Sequence, residues 1–221
     1  ARSSSVPEPL EAFLDVLQRY NAAMRRHQQV AEKKTEPQYY LGSAALAQLW
    51  LRSGDTAVLF ETSKQAYTML QRSFEMLDSS GRKSNKLLNE DGYSGLRRLC
   101  HELSVVRGFV FIDPPYELSF SDQLNMSLLR HIYTRWPTSS IALWHPIRDE
   151  ARTERVYQGL RASRLEPMLA TEFEVGSVKT GMLLLRPPQG VSEQLAEVLP
   201  ALGRLLATDM QGPARYRIFW L

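Results

Sequence analysis

A single cysteine, Cys100, in 221 residues rules out an internal disulfide. It lies in an apolar-periodic stretch, where a buried structural thiol is expected rather than a reactive one, and this accords with a reducing compartment. No apolar run approaches the roughly 18 residues of a membrane-spanning helix. The longest apolar stretches, 57–60 and 108–112, are strand-sized, so no membrane partner is expected. His27, His101, His131 and His145 show no metal-ligand spacing, and with one cysteine no zinc site or other metal is expected. Repeats and low-complexity segments are absent. Glycine is missing from the first 41 residues and no Gly-x-Gly occurs, which excludes a glycine-rich turn within 1–41. The chain opens Ala1-Arg2-Ser3-Ser4-Ser5 without an initiator methionine. Arg and Ser without acid suit the end of an organellar transit segment. The expected location is therefore cytoplasmic for a bacterial source, and mitochondrial or another organellar matrix for a eukaryotic one.

What is present is the composition of a globular chain, 43% hydrophobic and 23% charged. A net charge of +3 and a pI of about 9.0 admit a nucleic-acid partner without demanding one. Apolar periodicity predicts helices over 7–27, with Leu10, Phe13, Leu14, Leu17 and Tyr20 at helical spacing, and over 43–51. A polar connector covers 28–38. From there strands and helices alternate. Strands are expected at 56–61, 84–89, 108–112, 141–144, 168–175, 181–186 and 215–220, with helices at 63–77, 93–103, 121–135, 149–163 and 192–208. Such alternation predicts an α/β fold with a largely parallel sheet and helices on both faces. The domain division expected is 1–40 as a helical appendage and linker, and 41–221 as the α/β domain.

Sheets of this kind bind ligands at the C-terminal ends of their strands. Acids stand at consecutive strand ends: Glu61 after Val58-Leu59-Phe60, Asp91 after Leu87-Leu88, and Asp113 after Val110-Phe111-Ile112. Each also has a bland reading as a helix cap or turn former. Their recurrence favours function.

The third end carries the chemistry. In Asp113-Pro114-Pro115-Tyr116 two prolines fix the backbone and remove two N–H donors. The turn therefore presents acceptors, the Asp113 carboxylate and carbonyls near Pro114, suited to an exocyclic amino group with two donor hydrogens. Tyr116 can stack on the base plane. Positioning is most of what methyl transfer from an activated donor requires. A base in structured nucleic acid must first leave its stack.

Around this turn the sequence resembles the RlmJ family of bacterial 23S ribosomal RNA adenine-N6 methyltransferases. Tyr39-Tyr40-Leu41-Gly42-Ser43 resembles the family's Tyr-Tyr-Pro-Gly-Ser, and Phe60-Glu61 its acidic strand end. Glu90-Asp91-Gly92-Tyr93 resembles Ala-Asp-Gly-Phe, and Arg107 through Glu117 the catalytic strand and turn. Ala142-Leu143-Trp144-His145-Pro146 resembles Ala-Leu-Trp-Tyr-Pro, and Gly181-Met182 through Pro187-Pro188 a later Gly-Met…Asn-Pro-Pro. The resemblance runs in order from about residue 8 to the C-terminus. It implies a Rossmann-like class I methyltransferase sheet and S-adenosylmethionine as donor. Glu61 would hold the donor's ribose hydroxyls and Asp91 its adenine amino group. Gly92 and Ser43 would lie at the same pocket. Asp113, Pro114, Pro115 and Tyr116 would hold the target adenine of large-subunit ribosomal RNA.

The family's central first strand and its Gly-rich donor turn have no counterpart here, and the family's Glu-Leu-His-Pro reads Glu61-Thr62-Ser63-Lys64. The expectation is accordingly that 56–61 and 108–112 are parallel strands of one sheet, flanking a position this chain does not fill. Ribosomal or assembly proteins, or a chain supplying the missing strand, are candidate partners. The alternative reading is a catalytically inactive methyltransferase-fold component of a ribosome or its assembly, possibly mitochondrial. A methyltransferase acting on DNA adenine or cytosine shares the turn but lacks the other matches.

Weaker signals remain. His145 can be a hydrogen-bonded structural histidine or a group near substrate. Arg25, Arg26, Lys33 and Lys34 can be a solvated helix end or phosphate contacts. Arg97-Arg98 and Arg152/Arg155 read as exposed helix faces. Tyr216, Phe219 and Trp220 read as packing of an edge strand rather than an RNA-stacking platform.

Overall fold

Each apolar-periodic segment folds as the element its period dictates. The computed structural model describes residues 6–27, 37–77, 84–114, 121–207 and 212–221. Ala1 through Ser5, most of the 28–38 connector with Lys33 and Lys34, and Pro115, Tyr116 and Glu117 lie outside the described residues. In chain order the elements are α1 (Glu8–His27), α2 (Ser43–Trp50), β1 (Thr56–Phe60), α3 (Lys64–Leu77), β2 (Ser84–Leu88), α4 (Gly92–Glu102) and β3 (Gly108–Ile112). There follow α5 (Ser121–Arg135), β4 (Ser139–Pro146), α6 (Glu150–Ala162), β5 (Met168–Val175), β6 (Val178–Leu185), α7 (Val191–Ala207) and β7 (Arg215–Trp220). The chain divides into an amino-terminal unit, Glu8–Leu96, and a carboxy-terminal unit built on Arg97–Leu221. No helix among the described residues is long and apolar enough to cross a membrane.

In the amino-terminal unit β1 and β2 pair in parallel, from Thr56 opposite Ser84 to Phe60 opposite Leu88. The Glu61 N–H donates to the Leu88 carbonyl at 3.0 Å and carries the ladder one step further. The helices around this pair share a core of Val16, Tyr20, Leu41 and Ala45. Asn21, buried in α1, ties that helix to the approach to α2. Its Oδ1 accepts from the Gln38 and Tyr39 N–H groups at 2.8 and 2.9 Å, and its Nδ2 donates to the Leu17 and Tyr39 carbonyls. A buried polar side chain satisfied this fully specifies the connection it holds. Gly95 lies against the Phe60 ring, where an added Cβ would stand 2.2 Å from Cε1.

The carboxy-terminal unit holds a five-stranded sheet of order β3-β4-β6-β5-β7. Only β3 and β4 are parallel in it, with Gly108 opposite Ser139 and Ile112 opposite Leu143. β6 lies antiparallel between β4 and β5, and β7 closes the far edge against β5. Gly176, at φ 57°, makes the tight turn of the β5–β6 hairpin. Leu169, Ala170, Leu185, Ile132 and Cys100 are fully buried, as expected for the lone thiol.

The structure departs from expectation in three respects. First, 56–61 and 108–112 do not lie in one sheet. β1 pairs with β2 in a two-stranded sheet, β3 begins the five-stranded one, and no strand among the described residues bonds to both. Second, the sheets are not largely parallel. β1–β2 and β3–β4 are parallel, whereas the 168–185 segment folds as a hairpin whose return strand inserts beside β4. Alternating periodicity alone does not encode that insertion. Third, β4 is longer than 141–144, because Ser139 and Ser140 pair with Gly108 and Phe109 and His145 and Pro146 pair with Gly181 and Thr180. The fold class itself is the expected α/β, Rossmann-like one.

Candidate active site

The donor-side residues expected from sequence all fall in the amino-terminal unit. Glu61 leaves β1, and its Oε1 accepts from the Ser63 N–H at 2.7 Å. Asn89, just beyond β2, donates from Nδ2 to the Glu61 and Thr62 carbonyls at 2.7 and 3.1 Å. This cross-link holds the two parallel strand ends together. Ser63 in turn caps α3, its Oγ accepting from the Ala66 N–H. Asp91 caps α4: Oδ2 accepts from the Ser94 N–H at 2.8 Å, and that bond holds its carboxyl below the ordinary carboxylate range. Gly92 begins α4 and lies against Phe60, where an added Cβ would stand 3.4 Å from that residue's Cβ. Ser43 opens α2 and is exposed, with Gly42 as the N-cap. The structure thus brings Glu61, Asn89 and Asp91 to one end of the β1–β2 pair. Sequence reasoning missed Asn89, although its place directly after an expected strand was a usable signal.

The base-side residues fall in the carboxy-terminal unit. Asp113 follows the last residue of β3 and is exposed, and Pro114 behind it is buried. Partial desolvation alone raises the Asp113 carboxyl above the ordinary range. Pro115 and Tyr116 lie outside the described residues.

Beside this strand end β4 continues through Trp144 and His145. His145 sits over Gly181, where an added Cβ would come within 2.3 Å of the imidazole. Its Nε2 lies 3.2 Å from the Tyr157 hydroxyl, so the hydrogen-bonded reading of this histidine holds. Tyr157 is buried, and burial first, then the Glu172 carboxylate, pushes its phenol far up. Glu172, buried in β5, receives the Arg217 Nε at 2.9 Å. A polar row therefore runs from β4 through α6 to β5 and β7. Sequence reasoning passed over it, since Glu172 is one of two glutamates in 168–175 and only the folded sheet buries it. Above the end of β4 a cavity of about 130 Å³ opens between α5 and α6. Leu129, Leu143 and Leu160 line it, with Asn125, His145, Arg148 and Arg152 among its polar groups. Among the described residues no cluster of three His, Cys, Asp or Glu is placed to hold a metal.

Comparison with known proteins bears on this arrangement. A sequence model of the family described as "RsmJ: Ribosomal RNA large subunit methyltransferase D, RlmJ" matches residues 2–221. The chain is 27% identical over 225 residues to ribosomal RNA large subunit methyltransferase J of Haemophilus influenzae, covering 99% of this chain and 74% of that protein. It is 29% identical over 220 residues to the protein of the same name from Escherichia coli K12, covering 96% of this chain and 72% of that protein. Among solved structures, a Legionella pneumophila protein superposes with a TM-score of 0.73 at 22% identity, over 92% of this chain and 73% of its own. That likeness concerns the fold.

Proposed function

We propose, from the premise that this chain belongs to the RlmJ family, that it transfers a methyl group from S-adenosylmethionine to the N6 amino group of an adenine in large-subunit ribosomal RNA. The observation that carries the reading is Asp113. It is an acid at the end of a strand that pairs in parallel, followed by a buried proline, with its carboxyl partly desolvated.

The donor set at the end of β1 and β2 fits the nucleoside half of the donor. The Glu61 carboxylate has one oxygen bound to Ser63 N–H, and its second is left for a ribose diol. Asp91 and Gly92 would stand at the adenine, and Ser43 at the same pocket. The methionine half needs a glycine-rich turn, and no Gly-x-Gly occurs in this sequence. When bound, the donor supplies a methyl group already activated on sulfonium. The chain's own residues then hold and orient the acceptor. The ionised Asp113 carboxylate accepts an N–H of the amino group, carbonyls of the Pro114 turn take the second, and Tyr116 would stack on the ring. Held in this way, the nitrogen lone pair keeps a fixed direction.

The test is calorimetric titration of S-adenosylmethionine into the chain, followed by methyl transfer to large-subunit ribosomal RNA. Asp113→Ala is expected to lower transfer by about 100- to 1,000-fold, by analogy with the loss of one preorganised donor. Glu61→Ala is expected to weaken donor binding more than the chemical step. If no donor binds, alone or with a partner chain, the catalytic reading fails. A catalytically inactive methyltransferase-fold component of a ribosome or its assembly, possibly mitochondrial, then takes its place.

A further inference from the structure

We infer that the cavity between α5 and α6 is a subsite for a single pyrimidine nucleotide of the RNA strand, next to the nucleotide being modified. The inference rests on the RNA reading above. Its first support is position. Ile112 and Leu143 are register partners, so Asp113-Pro114 leave β3 alongside Trp144-His145 of β4. One strand spacing, about 4.8 Å, separates the two strand ends.

The second support is size and lining. The cavity measures about 130 Å³. An apolar cavity of roughly 150 Å³ takes up a benzene-sized ring. A six-membered pyrimidine ring is of that class, and a purine bicycle is larger. Leu129, Leu143 and Leu160 provide an apolar floor for the ring faces.

The third support is charge. Arg148, exposed at the opening, is suited to a phosphate beside an inserted base. Two carboxylates stand by, Asp149 in the lining and Glu150 after it. Asp149 accepts from the Arg152 N–H at 3.0 Å, and Glu150 binds Lys179 at 2.5 Å.

The experiment measures binding of the whole chain to labelled RNA oligonucleotides that differ only beside the target adenine, carrying uridine, adenosine or an abasic residue. Uridine is expected to bind about tenfold more tightly than the abasic form, the size of one buried ring contact, with adenosine between them. Val156→Phe, which fills the cavity, is expected to erase that ranking. Arg148→Ala lies on the exposed rim and does not depend on repacking. It is expected to weaken all three RNAs alike and to reduce the salt slope by about 1. If the parent chain binds none of them, the RNA reading falls and the subsite with it. If it binds all three equally, or if Val156→Phe keeps the ranking, the subsite is overturned while the RNA reading stands.

Discussion

The two units bury their strands to different depths. In the carboxy-terminal unit β5 is buried along most of its length, with Leu169 and Ala170 wholly enclosed. In the amino-terminal unit no residue of β1 is fully buried. The cause is topological. β5 is an interior strand, bonded to β6 and β7, whereas β1 has a single neighbour in a two-stranded sheet. A lone strand pair is marginal in water unless helices pack on it. Here the core of that unit lies among α1, α2 and their connection instead, at Val16, Tyr20, Leu41 and Ala45. Burial thus separates a strand-centred unit, which carries the Asp113 turn, from a helix-centred one, which carries Glu61 and Asp91.

The sharpest way to break that comparison is to truncate one strand leucine in each unit. Leu169→Ala removes a wholly enclosed side chain packed against Ala142 and Leu184, and is expected to cost about 2–5 kcal/mol in chemical denaturation. Leu59→Ala, in half-buried β1, is expected to cost less than half as much, about 1 kcal/mol. Equal losses would show that β1 carries a hidden core and that the contrast is false. Amide hydrogen exchange gives an independent reading: the β1–β2 ladder is expected to exchange faster than β5–β6.

Much of this was legible in the sequence, because each element carried its own period. Helix 43–51 and strands 56–61, 108–112 and 168–175 sit where apolar spacing put them, to within a residue or so at their ends. What the sequence did not disclose was strand order. The two strands of 168–186 read as a pair, with Gly176-Ser177 between them, but nothing there marks the return strand as inserting beside β4, since a strand's period is the same whichever way its neighbour runs. For the same reason Val58 and Val110 give no sign that they belong to different sheets. At the candidate site, the strand-end positions of Glu61, Asp91 and Asp113 were readable. The capping role of Asp91 was foreseen as the bland alternative, and the Ser94 contact realises it. The His145–Tyr157–Glu172–Arg217 row was not legible, because its members come from four elements and meet only in the folded sheet.

An intermediate effect is expected at two glycines that each lie under an aromatic ring. An added Cβ at Gly108 would stand 2.0 Å from Trp136, which is buried and whose indole N–H donates to the Val106 carbonyl at 2.7 Å. Gly108→Ala must displace that anchored ring, and is expected to cost about 1–3 kcal/mol. Gly95→Ala meets Phe60 at 2.2 Å, a comparable overlap. Phe60, however, is only half-buried, whereas Trp136 is buried. Its loss of thermal stability is expected to be the smaller of the two. A larger loss at Gly95 would mean that the β1–β2 unit is packed more tightly than its burial indicates.

The smallest effects concern the two strand-end aspartates, and they have opposite signs. The Asp91 carboxyl is held below its ordinary value of 3.8, chiefly by the Ser94 N–H, so its charged form favours the fold. That stability is fully present above the unfolded value and is lost as pH falls through the lower folded one. Asp91→Ala is therefore expected to cost about 1 kcal/mol at neutral pH, as the loss of a helix cap does, with the deficit shrinking in acid below pH 3.8. Asp113 runs the other way. Desolvation raises its carboxyl above 3.8, so proton binding favours the fold. That contribution is present below the unfolded value and is lost as pH rises through the raised folded value. At pH 7 the ionised Asp113 is a liability, and Asp113→Asn is expected to melt at the same temperature as the parent or slightly higher, with the advantage fading in acid. The same titration sets an acid limb for methyl transfer, because a protonated Asp113 no longer offers a full acceptor to the amino group. Thermal melts of both variants across pH 3–8 separate the two behaviours. If Asp113→Asn melts lower than the parent at pH 7, its carboxylate serves the fold as Asp91 does, and its assignment to the target base fails.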